Sequence, residues 1–236
     1  MAPLVAKSNL SLVLGHYHGG VATTRTYDDA CAIARGLDAV GERWALLIVR
    51  ELLFGPRRFS DLRRALPKAS TNLLTDRLRE LEASGVVDRR RLAPPAGSMV
   101  YELTEWGAEL APVLDAFGQW ALRGVRPPSH TATLSPTSIL LHLRDSVRPD
   151  RRRRWPTIHF ELDDGLWTAW VDDGTLQVRS GEHGPADLVV RTDPRTLNTL
   201  LHDPTEFDAA ISSGRLTIHG DSNVLRRILA TAEPRS

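Results

Sequence analysis

The segment 69-ASTNLLTDRLRELEASG-85 decides the fold. Ser70 or Thr71 can cap its start, because a side-chain hydroxyl accepts from the orphan amides of a first helical turn. Gly85 can supply the left-handed residue that ends it. Between them Leu74, Leu78 and Leu81 recur at spacings of four and three, which draws one apolar stripe along a helix. Asn72, Thr75, Asp76 and Arg79 fall on the opposite side at about 100° per residue. That face is short and polar, and its groups can read a base edge or hold a phosphate. A solvated surface helix would carry the same pattern, so the neighbouring segments must decide.

Upstream, Tyr27–Val40 reads as a helix with Cys31, Ala34, Leu37 and Val40 along one side. Gly41 interrupts it, and Trp44–Phe54, WALLIVRELLF, continues as a helix apolar on most of its surface. Gly55-Pro56 ends that run by removing helix-compatible backbone and a donor. Phe59–Leu66 turns Phe59, Leu62 and Leu66 inward and stops at Pro67. Two short helices joined by a tight turn, the second with a polar outer face, make a helix-turn-helix.

After Gly85 the period becomes strand-like. Val86–Leu92 sets Val87, Arg89 and Arg91 on one side and Asp88 and Arg90 on the other. The loop APPAGS at 93–98 leads to a second strand, Met99–Leu103. A basic hairpin directly after a recognition helix reads as a wing, whose Arg89, Arg90 and Arg91 can reach phosphates or a minor groove. A charged edge hairpin kept from aggregating is the alternative, and the preceding helices favour the wing. Thr104 then caps a helix, Glu105–Leu122, with Leu110, Val113, Leu114, Phe117 and Trp120 on a wide apolar face. This is more apolar surface than a small winged domain can cover, so it points to a second copy, with some residues closing their own core. Pro112 falls inside that helix and is expected to kink it.

Length and composition set the bounds. The 236 residues, 42% hydrophobic and 25% charged, suit two globular domains. A net charge of +1 says nothing for a polyanionic partner. Locally, however, Arg57 to Arg91 holds ten basic residues against five acidic ones. The single cysteine excludes an internal disulfide framework and fits a reducing, cytoplasmic compartment. No run approaches the roughly 20 apolar residues that span a bilayer, so no membrane partner is expected. Residues 1–24 read as a flexible extension, in which His16 and His18 are a weak metal candidate.

Residues 123–134 have the polar, Pro-rich composition of a linker, and a second domain follows at 135–232. Ser135-Pro136 opens a helix that runs to Asp145, and the run Arg151–Arg154 comes next, a solvated face rather than a nucleic-acid contact. Strands are expected at Thr157–Leu162, Leu166–Val171, Thr175–Ser180 and Asp187–Arg191. Asp163-Asp164-Gly165 and Asp172-Asp173-Gly174 between them read as hairpin turns rather than as metal or acid–base pairs. Helices at Pro194–His202, Thr205–Ser212 and Ser222–Ala230 flank a last strand at Arg215–His219. Trp155, Trp167 and Trp170 read as sheet-packing residues, with Trp167 and Trp170 on opposite faces. The chain has no glycine-rich phosphate loop, no Cys-x-x-Cys, no histidine cluster with ligand spacing and no nucleophile elbow. Neither enzymatic chemistry nor a metal or cofactor is therefore expected.

Two resemblances complete the reading. The order of Cys31, Leu37 to Gly41, Trp44-Ala-Leu-Leu-Ile, Arg50-Glu-Leu-Leu, Gly55-Pro-Arg-Arg-Phe-Ser-Asp-Leu, Leu74-Thr-Asp-Arg-Leu-Arg-Glu-Leu, Gly85-Val-Val and Tyr101-Glu-Leu-Thr resembles the HxlR-type winged-helix transcriptional regulators over about residues 25–122. The resemblance implies a homodimer paired through the first and last helices of the domain, on double-stranded DNA with two half-sites. Ser70, Thr71, Asn72, Thr75, Arg79, Arg58, Arg89, Arg90 and Arg91 are the candidate DNA contacts, and Leu110, Val113, Leu114, Phe117 and Trp120 the candidate dimer contacts. It also makes Cys31 a candidate redox sensor, although a cysteine on an apolar helix face reads first as inert core.

Over about residues 135–232 the chain resembles the sterol-carrier-protein fold. Asp187-Leu-Val-Val-Arg-Thr-Asp-Pro, Ile211-Ser-Ser-Gly-Arg-Leu-Thr-Ile-His-Gly-Asp and the closing Leu225–Leu229 helix carry that likeness. It implies an apolar cavity between helices and sheet. The fold class is thus α+β, a winged helix-turn-helix followed by a sterol-carrier-like domain with a meandering antiparallel sheet. Its function is that of a regulator modulated by an apolar effector. The alternative is a lipid carrier that uses the winged helix as a dimerisation scaffold.

Overall fold

Capping chemistry and leucine spacing place the first elements. The computed structural model describes residues 26–93, 97–124, 132–149 and 154–232. The extension 1–24 with its His16/His18 pair, most of the linker and Arg151–Arg153 lie outside those residues. Four helices come first: α1 (Ala32–Val40), α2 (Ala45–Leu52), α3 (Phe59–Ala65) and α4 (Thr71–Ala83). The Ser70 hydroxyl caps α4, accepting from the Leu73 amide at 3.3 Å. Gly85 follows the helix at φ 74°, while the Val86 amide donates to the Leu81 carbonyl at 2.9 Å. This left-handed closure turns the chain directly into β1 (Val87–Arg91). Leu74, Leu78 and Leu81 are buried together with Ile48, Val49, Leu52, Leu62 and Val87, so the stripe read from the sequence faces one core.

β1 pairs antiparallel with β2 (Met99–Leu103), and the Arg57 backbone adds a short third edge. The Arg57 amide donates to the Tyr101 carbonyl at 2.9 Å, and the Tyr101 amide donates back at 2.8 Å. Two expectations need correction here. The first helix starts at Ala32 rather than Tyr27, after Asp28 takes a left-handed φ of 49°. The helix expected over Glu105–Leu122 is two pieces, α5 (Glu105–Ala108) and α6 (Ala111–Gly124). A continuous helix would set the Pro112 ring against the Ala108 carbonyl and leave that carbonyl without its donor. Breaking at Glu109–Leu110 moves the proline into the first turn of α6, where it is tolerated. Gly107 lets α5 dock on the start of β1, since a Cβ there would lie 2.0 Å from the Val86 carbonyl oxygen.

The second half starts with α7 (Pro136–Ser146), followed by β3 (Ile158–Leu162), β4 (Gly165–Asp172), β5 (Thr175–Ser180) and β6 (Leu188–Thr192). Next come α8 (Pro194–His202), a single 3-10 turn, α9 (Phe207–Ser212), β7 (Leu216–His219) and α10 (Ser222–Ala230). β3, β4 and β5 form the expected antiparallel meander, with Asp163 at φ 52°, Asp173 at 43° and Gly174 at 72° in its turns. The sheet order is β5-β4-β3-β6-β7, and β6 joins the free edge of β3 in parallel. The sheet is therefore mixed at that one junction. Ile158, Phe160, Leu162, Trp167, Ala169, Leu188 and Val190 point into a core closed by Ile139, Leu140, Leu143, Leu197, Leu200 and Leu225.

The two halves share more than a linker. Phe54, read from the sequence as the end of an apolar helix in the first half, is buried in the second core. Its carbonyl accepts from the Ser180 amide at the end of β5, at 2.6 Å. The Arg57 guanidinium lies 4.7 Å from the Trp167 ring centroid and its Nη2 donates to the Thr137 hydroxyl at 3.3 Å. The Ser135 hydroxyl donates to the carboxylate of Glu51, which is only 2% exposed, at 2.8 Å. A phenylalanine truncated in a core costs about 3–5 kcal/mol. Phe54→Ala is expected to show that loss in the second half. By hydrogen exchange, Ser180 and Gly181 should lose protection while the α4 amides keep theirs. Loss confined to α4 would place Phe54 in the wrong core.

Candidate nucleic-acid interface

The polar face of α4 projects from a rigid, capped helix. Ser70, Thr71, Asn72 and Arg79 are exposed, and Thr75 is half-buried. The Thr75 hydroxyl donates to the Thr71 carbonyl at 2.8 Å, which leaves its γ-methyl and oxygen lone pairs for contact. Asp76 and Arg79 approach to 3.7 Å with both side chains more than half exposed, a pair that water holds weakly. Asp76 therefore orients Arg79 rather than Arg77. The Arg77 guanidinium is instead 3.3 Å from Glu42 and hydrogen-bonded to Glu80, on the inner flank of the helix.

The hairpin places its arginines unequally. Arg89 lies over Tyr101, 5.8 Å from the ring centroid. Arg91 Nε donates to the Gly97 carbonyl at 3.0 Å. Arg90 is ion-paired with Glu102, so its charge is largely answered within the hairpin. Burial pushes the Glu82 carboxyl upward, while the nearby Arg89 and Arg79 charges pull it back. The Glu82 carboxyl, near the end of α4, thus feels charge from both α4 and the wing. Arg58 is exposed at the start of α3, with its amide donating to Asp61 Oδ2 at 3.1 Å.

Part of the basic excess is consumed by the fold. Arg57 is stacked on Trp167, Arg63 donates to the Ala69 carbonyl at 2.6 Å, and Arg64 pairs with Asp164 at 3.3 Å. The charge count from Arg57 to Arg91 therefore overstates what a duplex would meet.

The five candidate dimer residues also divide. Leu110 and Leu114 pack against the winged-helix core. Val113, Phe117 and Trp120 are 53%, 55% and 60% exposed, with Phe117 and Trp120 in ring contact. Tyr27, Ile33, Leu37 and Leu122 are exposed as well, and of these the sequence placed only Leu37 on an apolar helix side. Ile33 and Leu37 lie on α1, the first helix, through which the family resemblance implies pairing. Cys31, read first as inert core, is exposed at the N-cap of α1. The Ile33 and Ala34 amides there hold its thiol below the ordinary range, because they favour the thiolate.

A capped second helix with a free polar face, a short helix before it and a basic two-stranded hairpin after it define a winged helix-turn-helix. The profile of the HxlR-like helix-turn-helix family matches residues 39–127, and the chain belongs to that family. It is 40% identical over 93 residues to the uncharacterized HTH-type transcriptional regulator YvaP of Bacillus subtilis (strain 168), covering 39% of this chain and 86% of that one. The HTH-type transcriptional regulator YodB of the same strain is 37% identical over 82 residues, 35% of this chain and 73% of YodB. The solved reduced form of YodB is 32% identical with a TM-score of 0.38, covering 42% of this chain and 98% of that structure. The profile of the SCP-2 sterol transfer family matches residues 138–233.

Base contacts and phosphate contacts are separable by mutation. Losing a good bidentate base contact costs about 1–3 kcal/mol of discrimination, while losing a phosphate contact weakens every sequence alike. Asn72→Ala is expected to relax preference at one base pair per half-site in a competition of single-base operator variants. Arg89→Ala and Arg91→Ala should leave the preference profile unchanged and each lower the salt slope by about one. A changed profile in the arginine variants, or an unchanged one in Asn72→Ala, would reverse these roles.

Proposed function

We propose that the protein is a DNA-binding transcriptional regulator that acts as a homodimer on an operator with two half-sites. The exposed polar face of α4, followed along the chain by the exposed arginines of the wing, is the observation that carries this reading. Asn72, Thr75 and Arg79 read bases in the major groove, with Asn72 offering its amide to adenine. Ser70, Thr71, Arg58, Arg89 and Arg91 grip phosphates, and Arg90 contributes less because Glu102 answers its charge. The uncovered apolar surface of α1 and α6, from Ile33 and Leu37 to Val113, Phe117 and Trp120, supports pairing with a second copy. Two-fold pairing would match two half-sites.

The second half supplies regulation in this reading. It is joined to the wing through Arg57 and to α6 through Arg144, whose Nη2 donates to Asp115 at 3.2 Å. An effector there acts only if it binds the DNA-competent and incompetent dimers with different affinity. Exposure of Cys31 and its lowered thiol pKa favour a second input, attack of that thiolate on a peroxide to give the sulfenic acid with release of hydroxide.

Light scattering at micromolar concentration should give a dimer, and a footprint on the protein's own upstream region should cover two sites. Affinity there should fall linearly with the logarithm of salt. Prior treatment with iodoacetamide, compared in wild type and Cys31→Ser, isolates the thiol's part. A dimer with no salt-dependent footprint would leave the lipid-carrier reading in its place.

A further inference from the structure

One guanidinium ties the recognition helix to the corner that follows α1. Arg77 leaves the inner flank of α4, and its Nη1 lies 3.3 Å from Glu42 Oε2, in the turn between α1 and α2. The same Nη1 donates to Glu80, one turn further along α4. The Arg77 side chain is only 14% exposed, and its Nε is buried with no hydrogen bond among the described residues. Burying a guanidinium with one donor unanswered is costly, and an aliphatic side chain would fill that flank without the cost. Glu80 alone could answer the charge as an i, i+3 pair. Glu42 is thus surplus to charge balance, and what matters is where it comes from.

Glu42 follows directly on α1. No residue of that helix is buried. Ala39 and Val40 at its end pack partly against the winged-helix core, while Ile33 and Leu37 stand out from it. Packing within the chain therefore holds α1 mainly at its C-terminal end and leaves its direction open. Two features set that direction. The turn closes on a hydrogen bond from the Ala45 amide to the Glu42 carbonyl at 3.0 Å, with Trp44 held at φ 81°. A bulky residue in the left-handed region is strained, and persists only where its surroundings over-determine it. Trp44 is partly buried against the same core, with the Arg43 guanidinium 5.6 Å from its ring centroid. The second feature is the Glu42–Arg77 pair, a direct tie from this corner to α4. With Glu42 46% exposed the pair adds little to stability, so its effect falls on angle rather than on folding.

We infer that the Glu42–Arg77 pair fixes the angle between α1 and α4, which makes Arg77 a positioning residue for the spacing of the two half-sites. This rests on the reading of α1 and α6 as the pairing surface of a DNA-binding dimer. In such a dimer the two copies of α1 meet about the two-fold axis, so a change of angle between α1 and α4 is applied twice to the separation of the recognition helices. Half-site spacing follows that separation. Arg77 lies away from the face that carries Asn72, Thr75 and Arg79, so base choice does not depend on it.

The test titrates full-length wild type, Arg77→Met, Glu42→Gln and the double variant against duplexes taken from the footprinted upstream region. Their half-sites are set at the natural separation, one base pair closer and one base pair farther, and a single half-site serves as reference. Wild type is expected to favour one spacing about tenfold over its neighbours, equivalent to about 1.4 kcal/mol. Each single variant should cut that preference to about twofold, with half-site affinity, single-base preference and the circular dichroism spectrum unchanged. The double variant should match the singles, because the two residues act as a unit. Arg77→Lys, which keeps a charge within reach of Glu42, should retain more of the preference than Arg77→Met. Glu42→Gln, an isosteric change at a half-exposed position, keeps the test decisive should Arg77→Met unfold. Variants that lose affinity equally on every spacing and on the half-site, or that keep the wild-type spacing preference, overturn the proposal. So does a wild type that binds all spacings alike. A wild type that binds no duplex overturns the regulator reading, and this proposal with it.

Discussion

Glu51 is a carboxylate taken almost wholly out of water, and leaving it unpaired would cost several kcal/mol. Arg50 meets it at 2.6 Å from its own helix and the Ser135 hydroxyl at 2.8 Å from the second half. The charge is thus paired within its own helix, and the second half adds a hydroxyl donor. Arg57 stands beside it on the same junction. Burial pulls the Arg57 pKa down, the Glu51 and Asp61 charges hold it up, and an arginine so placed stays protonated. Its guanidinium faces Trp167 in the second half while its backbone is an edge of the wing sheet. One residue thus belongs both to the edge of the wing sheet and to the contact with the second half.

That arrangement bears on how the basic residues are divided. Arginines that look alike in the sequence do different work according to what lies within reach. Arg57, Arg63 and Arg77 hold the fold, through a tryptophan face, a backbone carbonyl and two glutamates. Arg79, Arg89 and Arg91 remain exposed, and Arg90 is half spent on Glu102. The surface offered to a duplex is narrower than the charge count, and is concentrated where α4 meets the hairpin.

Local rules were enough for most of this architecture. Ser70 and Gly85 bound α4 as their cap chemistry requires, and the Asp-Gly pairs turn where positive φ is needed. The misreadings were of two kinds. Pro112 was seen, but whether a proline kinks a helix or moves to its first turn depends on what the preceding turn packs against, here Gly107 on Val86. Cys31 was misjudged, and Phe54 was read without the core that covers it, because an apolar stripe says that a face will be covered without saying by what. Phe54 is covered by residues far along the chain, and no periodicity carries that information.

Insertion of Phe54 into the second core also has a consequence during synthesis. The core that takes it in also holds Leu143, Trp167 and Leu200, all translated after the winged half is complete. At roughly 5–20 residues per second, the ribosome needs on the order of ten seconds to supply them. Throughout that interval the helix-turn-helix can close its own leucine core while Phe54 and the desolvated face of Glu51 stand open. The nascent winged half is thus a sticky intermediate whose natural chaperone is the rest of its own chain.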